Sequence, residues 1–302
     1  MSTTLLESAT SVAFGQIETE LTHKAAGGKD AAPARALTAT VVAVGPPDRL
    51  REVVQPLQTL GRSGAIRGIL IPQGPSDAAG AEVASNLVVL NGLQDNFIDN
   101  AVAALRLSSL PTVIWWRGGP IEILGNLIKL ADRVVLDADP PEPGWKCAAG
   151  NLERAAFSDV RWTRLTRWRA LMAQFFDLPE VQQATASFTH LCVEASDRPA
   201  AALFAAWMKS ELHWDDTVRI EIQDSDRPEP ITRVSLTGAL ELHLRLARSR
   251  KCVESAATAG QSATSRVVSL GDESVPALLA EELRIRSRDH AFERALTKVV
   301  ES

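Results

Sequence analysis

The sequence predicts an α/β N-terminal domain, a largely parallel sheet with helices on both faces, followed by an α+β C-terminal domain, an antiparallel meander with packed helices. Three observations carry this reading. In the first half, short and nearly continuous apolar runs such as LTATVVAVG (37–45) alternate with helical stretches, the pattern of strands buried on both faces. In the second half, TVRIEIQDS (217–225) and ALELHLRLAR (239–248) alternate apolar and polar residues, as strands with one wet face do. Where the pattern changes, PPEPGW (140–145) concentrates proline and reads as a turn or linker.

Residues 1–35 read as a polar lead-in, a helix around Ser11–Lys24 and a linker, AAGGKDAAPARA. The α/β domain then occupies 36–158. After its first strand, PDRLREVVQPLQTLG (47–61) sets Leu50, Val53, Val54 and Leu57 at helical spacing, while Pro56 predicts a kink or an early stop. AIRGILIPQG (65–74) and ASNLVVLNG (84–92) are strand candidates. LQDNFIDNAVAALRLSSL (93–110) is helical, with Phe97, Ile98, Val102 and Leu105 on one face. PTVIWWRGG (111–119) is a buried strand, PIEILGNLIKLAD (120–132) a helix with proline in its first turn, and RVVLDADP (133–140) closes the series.

The α+β domain, 159–302, opens with a Trp/Arg-rich helix. THLCVEASD (189–197) is a strand and RPAAALFAAWMKSELH (198–213) a helix. On the alternating strands Val218, Ile220 and Ile222 share one face, as do Leu240, Leu242, Leu244 and Leu246. TRVSLTG (232–238) and SRVVSL (265–270) should pair with them. The last stretch is helical, with Leu278, Ile285, Phe292 and Val299 seven apart.

Composition narrows the function. The net charge is −5, with 32 Lys+Arg against 37 Asp+Glu, and a duplex-binding protein needs a basic excess to neutralise phosphates. The three cysteines, Cys147, Cys192 and Cys252, form no C-x-x-C, which points to reduced thiols in a cytoplasmic protein. A cysteine pair acting as a redox switch is the minor alternative. The N-terminus lacks the shape of a secretory signal, and no apolar run reaches the roughly 20 residues that span a bilayer. The sequence holds no G-x-S-x-G, no Walker A run and no G-x-G-x-x-G after the first strand. Its five histidines are scattered, HWDD (213–216) reads as a solvated turn, and tyrosine is absent. No catalytic residue, metal or cofactor is assigned, and a non-enzyme is expected.

Two segments stand out. In WWRGGP (115–120), Trp115 and Trp116 precede Arg117, Gly118 and Gly119 at the carboxyl end of a strand, where open α/β sheets bind ligands. A helix N-terminus follows, so an anion-binding turn is one reading. A tight turn with the tryptophans as core is the other, and a single Gly pair favours it. In RWTRLTRWRALMAQFF (161–176), Leu165, Trp168, Met172 and Phe175 share a face flanked by Trp162, Leu171 and Phe176. Arg167 points away, whereas Arg161, Arg164 and Arg169 fall within or beside the apolar arc. A nucleic-acid helix segregates its arginines onto one exposed face. This segment reads instead as a docked helix with arginines in ion pairs or at a protein interface.

LPTVIWWRGGP (110–120), DRVVLDADP (132–140) and especially DVRWTRLTRWRALMAQFFD (159–177) resemble the glucose-6-phosphate dehydrogenase assembly proteins, the OpcA family. The resemblance covers most of the chain from about residue 36. Trp162, Arg164, Leu165, Thr166, Trp168 and Arg169 all match the family's W-x-R-L-T-x-W-R segment. A His-Pro-x-Arg element before the second strand is missing; that region reads GRSGAIRGILI, with Arg67. The resemblance implies a non-catalytic protein that binds glucose-6-phosphate dehydrogenase, promotes its active oligomeric form and feeds the oxidative pentose phosphate pathway. Trp115, Trp116, Arg117, Trp162, Arg164, Arg167, Trp168 and Arg169 are its partner-binding or interdomain candidates. One alternative is a sugar-phosphate-binding enzyme or sensor using the Gly118–Gly119 turn, with Asp137 and Asp139 nearby. The other is a nucleic-acid-binding regulator using RLARSRK (245–251) or RIRSRDH (284–290), which the acidic balance opposes.

Overall fold

The computed structural model describes residues 6, 9–26, 37–63, 66–74, 79–247, 251–259, 262–285 and 287–301. The linker read at 25–36 lies mostly outside them, as do parts of both basic runs. Two mixed sheets with flanking helices organise the chain, which divides into two compact units: 1–159 with 275–288, and 160–274 with 289–302.

The first unit contains, in chain order, β1 (Thr10–Val12), α1 (Ile17–Ala26), β2 (Ala39–Gly45), α2 (Leu50–Ser63), β3 (Ile66–Pro72), β4 (Gly80–Ala84) and β5 (Leu87–Asn91). Then come α3 (Ile98–Leu105), β6 (Thr112–Trp116), α4 (Ile121–Leu127), β7 (Arg133–Leu136), α5 (Glu142–Ala149) and β8 (Ala156–Asp159). Its eight strands are ordered β1-β4-β5-β3-β2-β6-β7-β8. From β5 to β8 every pairing is parallel, while β4 and β1 add an antiparallel margin. Numbered among themselves, the six parallel strands run 3-2-1-4-5-6, the order of doubly wound dinucleotide-binding sheets. β2, β6 and β7 are buried along their whole length, as their unbroken apolar runs require.

The second unit begins with α6 (Val160–Arg164), α7 (Thr166–Phe175) and α8 (Pro179–Ala184), continuing through β9 (His190–Ala195), α9 (Arg198–Glu211), β10 (Arg219–Asp224) and β11 (Ile231–Thr237). β12 (Glu241–Leu246), β13 (Cys252–Ala259) and β14 (Ser262–Ser269) complete its sheet. α10 (Val275–Arg284) belongs to the first unit, and α11 (His290–Glu301) ends the second. The sheet order is β10-β9-β11-β12-β13-β14. Leu242 and Leu244 of β12 and Val234 and Leu236 of β11 are wholly buried on its inner face, as their period-2 alternation requires.

Several elements differ from the sequence reading. Thr10–Val12 is a strand on β4 and the first helix starts only at Ile17, because edge pairing overrides a weak helical pattern. α2 runs through Pro56 to Ser63 without an early stop; its buried apolar stripe outweighs the lost backbone bond. Phe97 is half exposed, unlike Ile98, Val102 and Leu105, because it sits before the first turn of α3. PPEPGW is largely helical: Pro141 precedes α5, where a missing N–H costs nothing. β10 pairs parallel with β9, so the second sheet is not a pure meander, and as an edge strand β10 leaves Ile220 exposed. Ile285 is exposed between α10 and α11, so the seven-residue spacing marks no single face.

Candidate functional site

In the first unit the chain leaves β2 towards β3 on one side, while β6 lies on the other. The crevice outside the carboxyl ends of β2 and β6 is therefore the topological switch point, the usual ligand position of such sheets. The segment Trp115–Gly119 forms that end. The Arg117 amide donates to Val44 O at 2.8 Å, and the Asp137 amide donates to Trp116 O at 2.8 Å. Gly118 and Gly119 have φ of 126° and 127°, a region nearly closed to residues with a Cβ. A Cβ on Gly119 would also stand 3.0 Å from Gln73 Cγ.

Trp115 and Trp116 are buried in the sheet core. The Trp115 indole donates to Asp137 Oδ2 at 3.1 Å, and the same oxygen lies 3.1 Å from Arg117 Nε. Arg117 Nη1 lies 3.0 Å from Glu52 Oε2. The guanidinium also stands 5.6 Å from the Trp115 ring centroid. These are ion pairs by distance, although neither Nε–H nor Nη1–H is aimed well enough to count as a hydrogen bond. Two carboxylates thus neutralise the one cation of the turn. Asp48 in the turn leading into α2 and Glu122 in the first turn of α4 add negative charge beyond that pair where a phosphate would approach.

In the second unit the Trp/Arg segment forms α6 and α7, joined at Leu165. Trp162 and Trp168 are buried and Arg167 is exposed. The Trp162 indole donates to Asp289 Oδ2 at 2.7 Å, and its ring meets Phe292 at 5.6 Å. Arg169 lays its guanidinium 3.6 Å from the Trp162 ring centroid, a cation–π contact out of bulk water. Arg161 Nε donates to both oxygens of Asp197, at 3.2 and 3.1 Å, and Asp197 also caps α9 by accepting the Ala200 amide at 3.0 Å. Arg164 acts electrostatically on Glu273, whose carboxyl is nevertheless held above its ordinary value, chiefly by burial.

The structure therefore groups Trp115, Trp116 and Arg117 with Glu52 and Asp137, and groups Trp162 and Arg169 with Asp289 and Phe292. Asp289, Phe292, Asp197 and Glu52 were not visible as partners, because each lies far along the chain from the residue it meets. Among the described residues, no group of three or more His, Cys, Asp or Glu is placed to hold a metal, and no helix is long and apolar enough to cross a membrane. The three cysteines are free. Burial raises the Cys147 thiol, and burial followed by the nearby Glu221 carboxylate raises that of Cys192.

Residues 155–296 match the family model described as the C-terminal domain of the glucose-6-phosphate dehydrogenase subunit. The chain is also similar to two proteins described as putative OxPP cycle proteins OpcA. It is 27% identical over 138 residues to that of Synechocystis sp. and 26% identical over 146 residues to that of Nostoc punctiforme. The C-terminal half of the chain is thus similar to the OpcA family. The two alignments cover 42% and 45% of this chain and 29% and 31% of the relatives, so less than a third of either relative is spanned. The OpcA match takes in β8, the Trp/Arg helices, the whole second sheet, α10 and half of α11. Trp162, Arg164, Arg167, Trp168 and Arg169 lie inside it, whereas Trp115–Gly119 lie outside.

Proposed function

We propose that this protein is a non-catalytic partner of glucose-6-phosphate dehydrogenase, which it binds and shifts towards an active oligomeric form in the oxidative pentose phosphate pathway. One observation carries the reading: residues 155–296, with the Trp/Arg helices at their start, match the dehydrogenase-subunit domain. An activator of this kind acts by binding the active enzyme form more tightly than the inactive one, since only differential affinity shifts a population. The buried tryptophans then hold the second unit in shape, and exposed groups such as Arg167 meet the partner.

A sugar phosphate at the Arg117–Gly119 turn is the weaker reading, because Glu52 and Asp137 already hold the arginine. The deciding experiment mixes the purified protein with the dehydrogenase of the same cell and follows activity and particle mass together. A co-migrating complex with raised activity supports the proposal. An unchanged mass distribution and unchanged activity across protein ratios and ionic strengths would overturn it.

A further inference from the structure

A cavity of about 550 Å³ opens on the polar outer face of the second sheet, a volume typical of small-metabolite sites. Its lining includes Glu194 of β9, Arg227 of the β10–β11 loop, Thr232 and Arg233 of β11, Arg245 of β12 and Glu254 of β13. Arg233 stands directly opposite Arg245 in the strand register, and like charges in that position destabilise a sheet. Arg245 resolves its side by donating to Glu254 Oε2 at 2.7 Å. Arg233 does not. Its other cross-strand neighbour is Glu194, but that carboxylate accepts the Thr232 hydroxyl at 3.0 Å and the Ser225 hydroxyl at 3.3 Å. Arg233 Nε donates to Ser235 Oγ at 3.1 Å. Among the described residues, neither Arg227 nor Arg233 has an ion-pair partner.

The backbone around these two arginines is built rather than loose. The β9–β11 register slips between Ile231 and Arg233, and a bulge of this kind re-aims side chains beside binding sites. Thr232, almost fully buried, also reaches Ser225 Oγ at 3.2 Å and Glu194 O at 3.2 Å. The Arg227 amide donates to Ser225 Oγ at 3.3 Å, and Ser196 Oγ donates to Pro228 O and Glu229 O. The loop carrying Arg227 is thereby tied to the sheet on both sides.

We propose that this cavity binds a hydroxylated phosphomonoester, a ligand of the sugar-phosphate class. The phosphate oxygens take the two guanidiniums that lack an ion-pair partner, Arg233 through its terminal Nη groups, since planar donor forks suit them. The ligand's hydroxyls donate to Glu194 and Glu254, since an ionised carboxylate accepts hydrogen bonds and donates none. A bare dianion would meet those two carboxylates as repulsion, so the ligand needs hydroxyl groups as well as charge. The site goes beyond the partner role proposed above and is measured on the isolated full chain, so either idea can fail alone.

The test is calorimetric titration at low ionic strength with glucose 6-phosphate, inorganic phosphate and glucose as probes. Expected is saturable binding of glucose 6-phosphate, weaker binding of inorganic phosphate, and none of glucose. The double variant Arg227→Gln/Arg233→Gln should weaken glucose 6-phosphate roughly tenfold or more with its melting temperature unchanged. Arg219→Gln, at the opposite end of β10, should leave binding intact. No saturable glucose 6-phosphate binding, phosphate binding as tightly as the sugar phosphate, or a double variant that binds normally would each overturn the proposal.

Discussion

Trp162 is held on three sides at once: by the Arg169 guanidinium, by the Phe292 ring and by the Asp289 carboxylate that accepts its N–H. Each contact uses a different property of the indole, so substitutions separate them. Trp162→Ala opens a large cavity and should cost about 3–5 kcal/mol, read as a lower urea midpoint. Trp162→Phe keeps a ring but removes the donor to a charged acceptor, and should cost about 2 kcal/mol. Equal losses for the two variants would mean that the hydrogen bond, not the packing, carries the residue. A second residue, Glu273, sets a pH dependence. Its carboxyl is raised above the ordinary 4.5, chiefly by burial, with Arg164 pulling the other way. For an acid with a raised folded pKa, the favourable contribution is present below the unfolded value and is lost as pH rises through the folded one. Glu273→Gln should therefore stabilise the protein at pH 7 and change little at pH 4, by urea unfolding at both. A variant less stable at pH 7 would refute the sign.

At the scale of elements, α10 is fastened to the first unit by one buried acid. Glu282 Oε2 accepts Arg133 Nη1 of β7 at 3.2 Å and Ser158 Oγ of β8 at 2.6 Å, and Arg133 also donates to Ser287 O. Glu282→Ala strands a buried guanidinium and should cost about 3–5 kcal/mol, whereas Arg133→Met/Glu282→Leu should recover most of that loss. A double variant no better than the single one would show that the pair supplies more than mutual neutralisation. This tether was not legible in the sequence, since its ends are 149 residues apart. The parallel strands from β2 to β7 were legible, because burial on both faces writes unbroken apolar runs. β4, β8 and β13 were not: each is short or rich in small and polar residues, and its pairing comes from neighbours distant in sequence. The candidate site divides in the same way. The positions of Trp115–Gly119 and Trp162–Arg169 could be read from their local spacing, but the carboxylates that neutralise Arg117 and Arg161 could not.

Under the proposed partner role of the molecule, contact falls to the part of the Trp/Arg segment that is free to make it. Trp162 and Trp168 are buried, Arg161 is held by Asp197, and Arg169 lies on Trp162. Arg167 is exposed, so its replacement should shift stability by no more than about 0.5 kcal/mol. Charge reversal at an interface arginine, by contrast, adds repulsion and leaves its former partner uncompensated. If the helix α7 faces the dehydrogenase, Arg167→Glu should weaken the complex roughly tenfold or more and reduce activation in proportion, with an unchanged melting temperature. Arg117→Gln, altering a turn outside the OpcA match, should leave the affinity as it was. Sedimentation of both variants with the dehydrogenase measures the two effects side by side. Should Arg167→Glu bind and activate like the unsubstituted protein, α7 serves the fold of the second unit alone, and the contact surface lies elsewhere within residues 155–296 or beyond them.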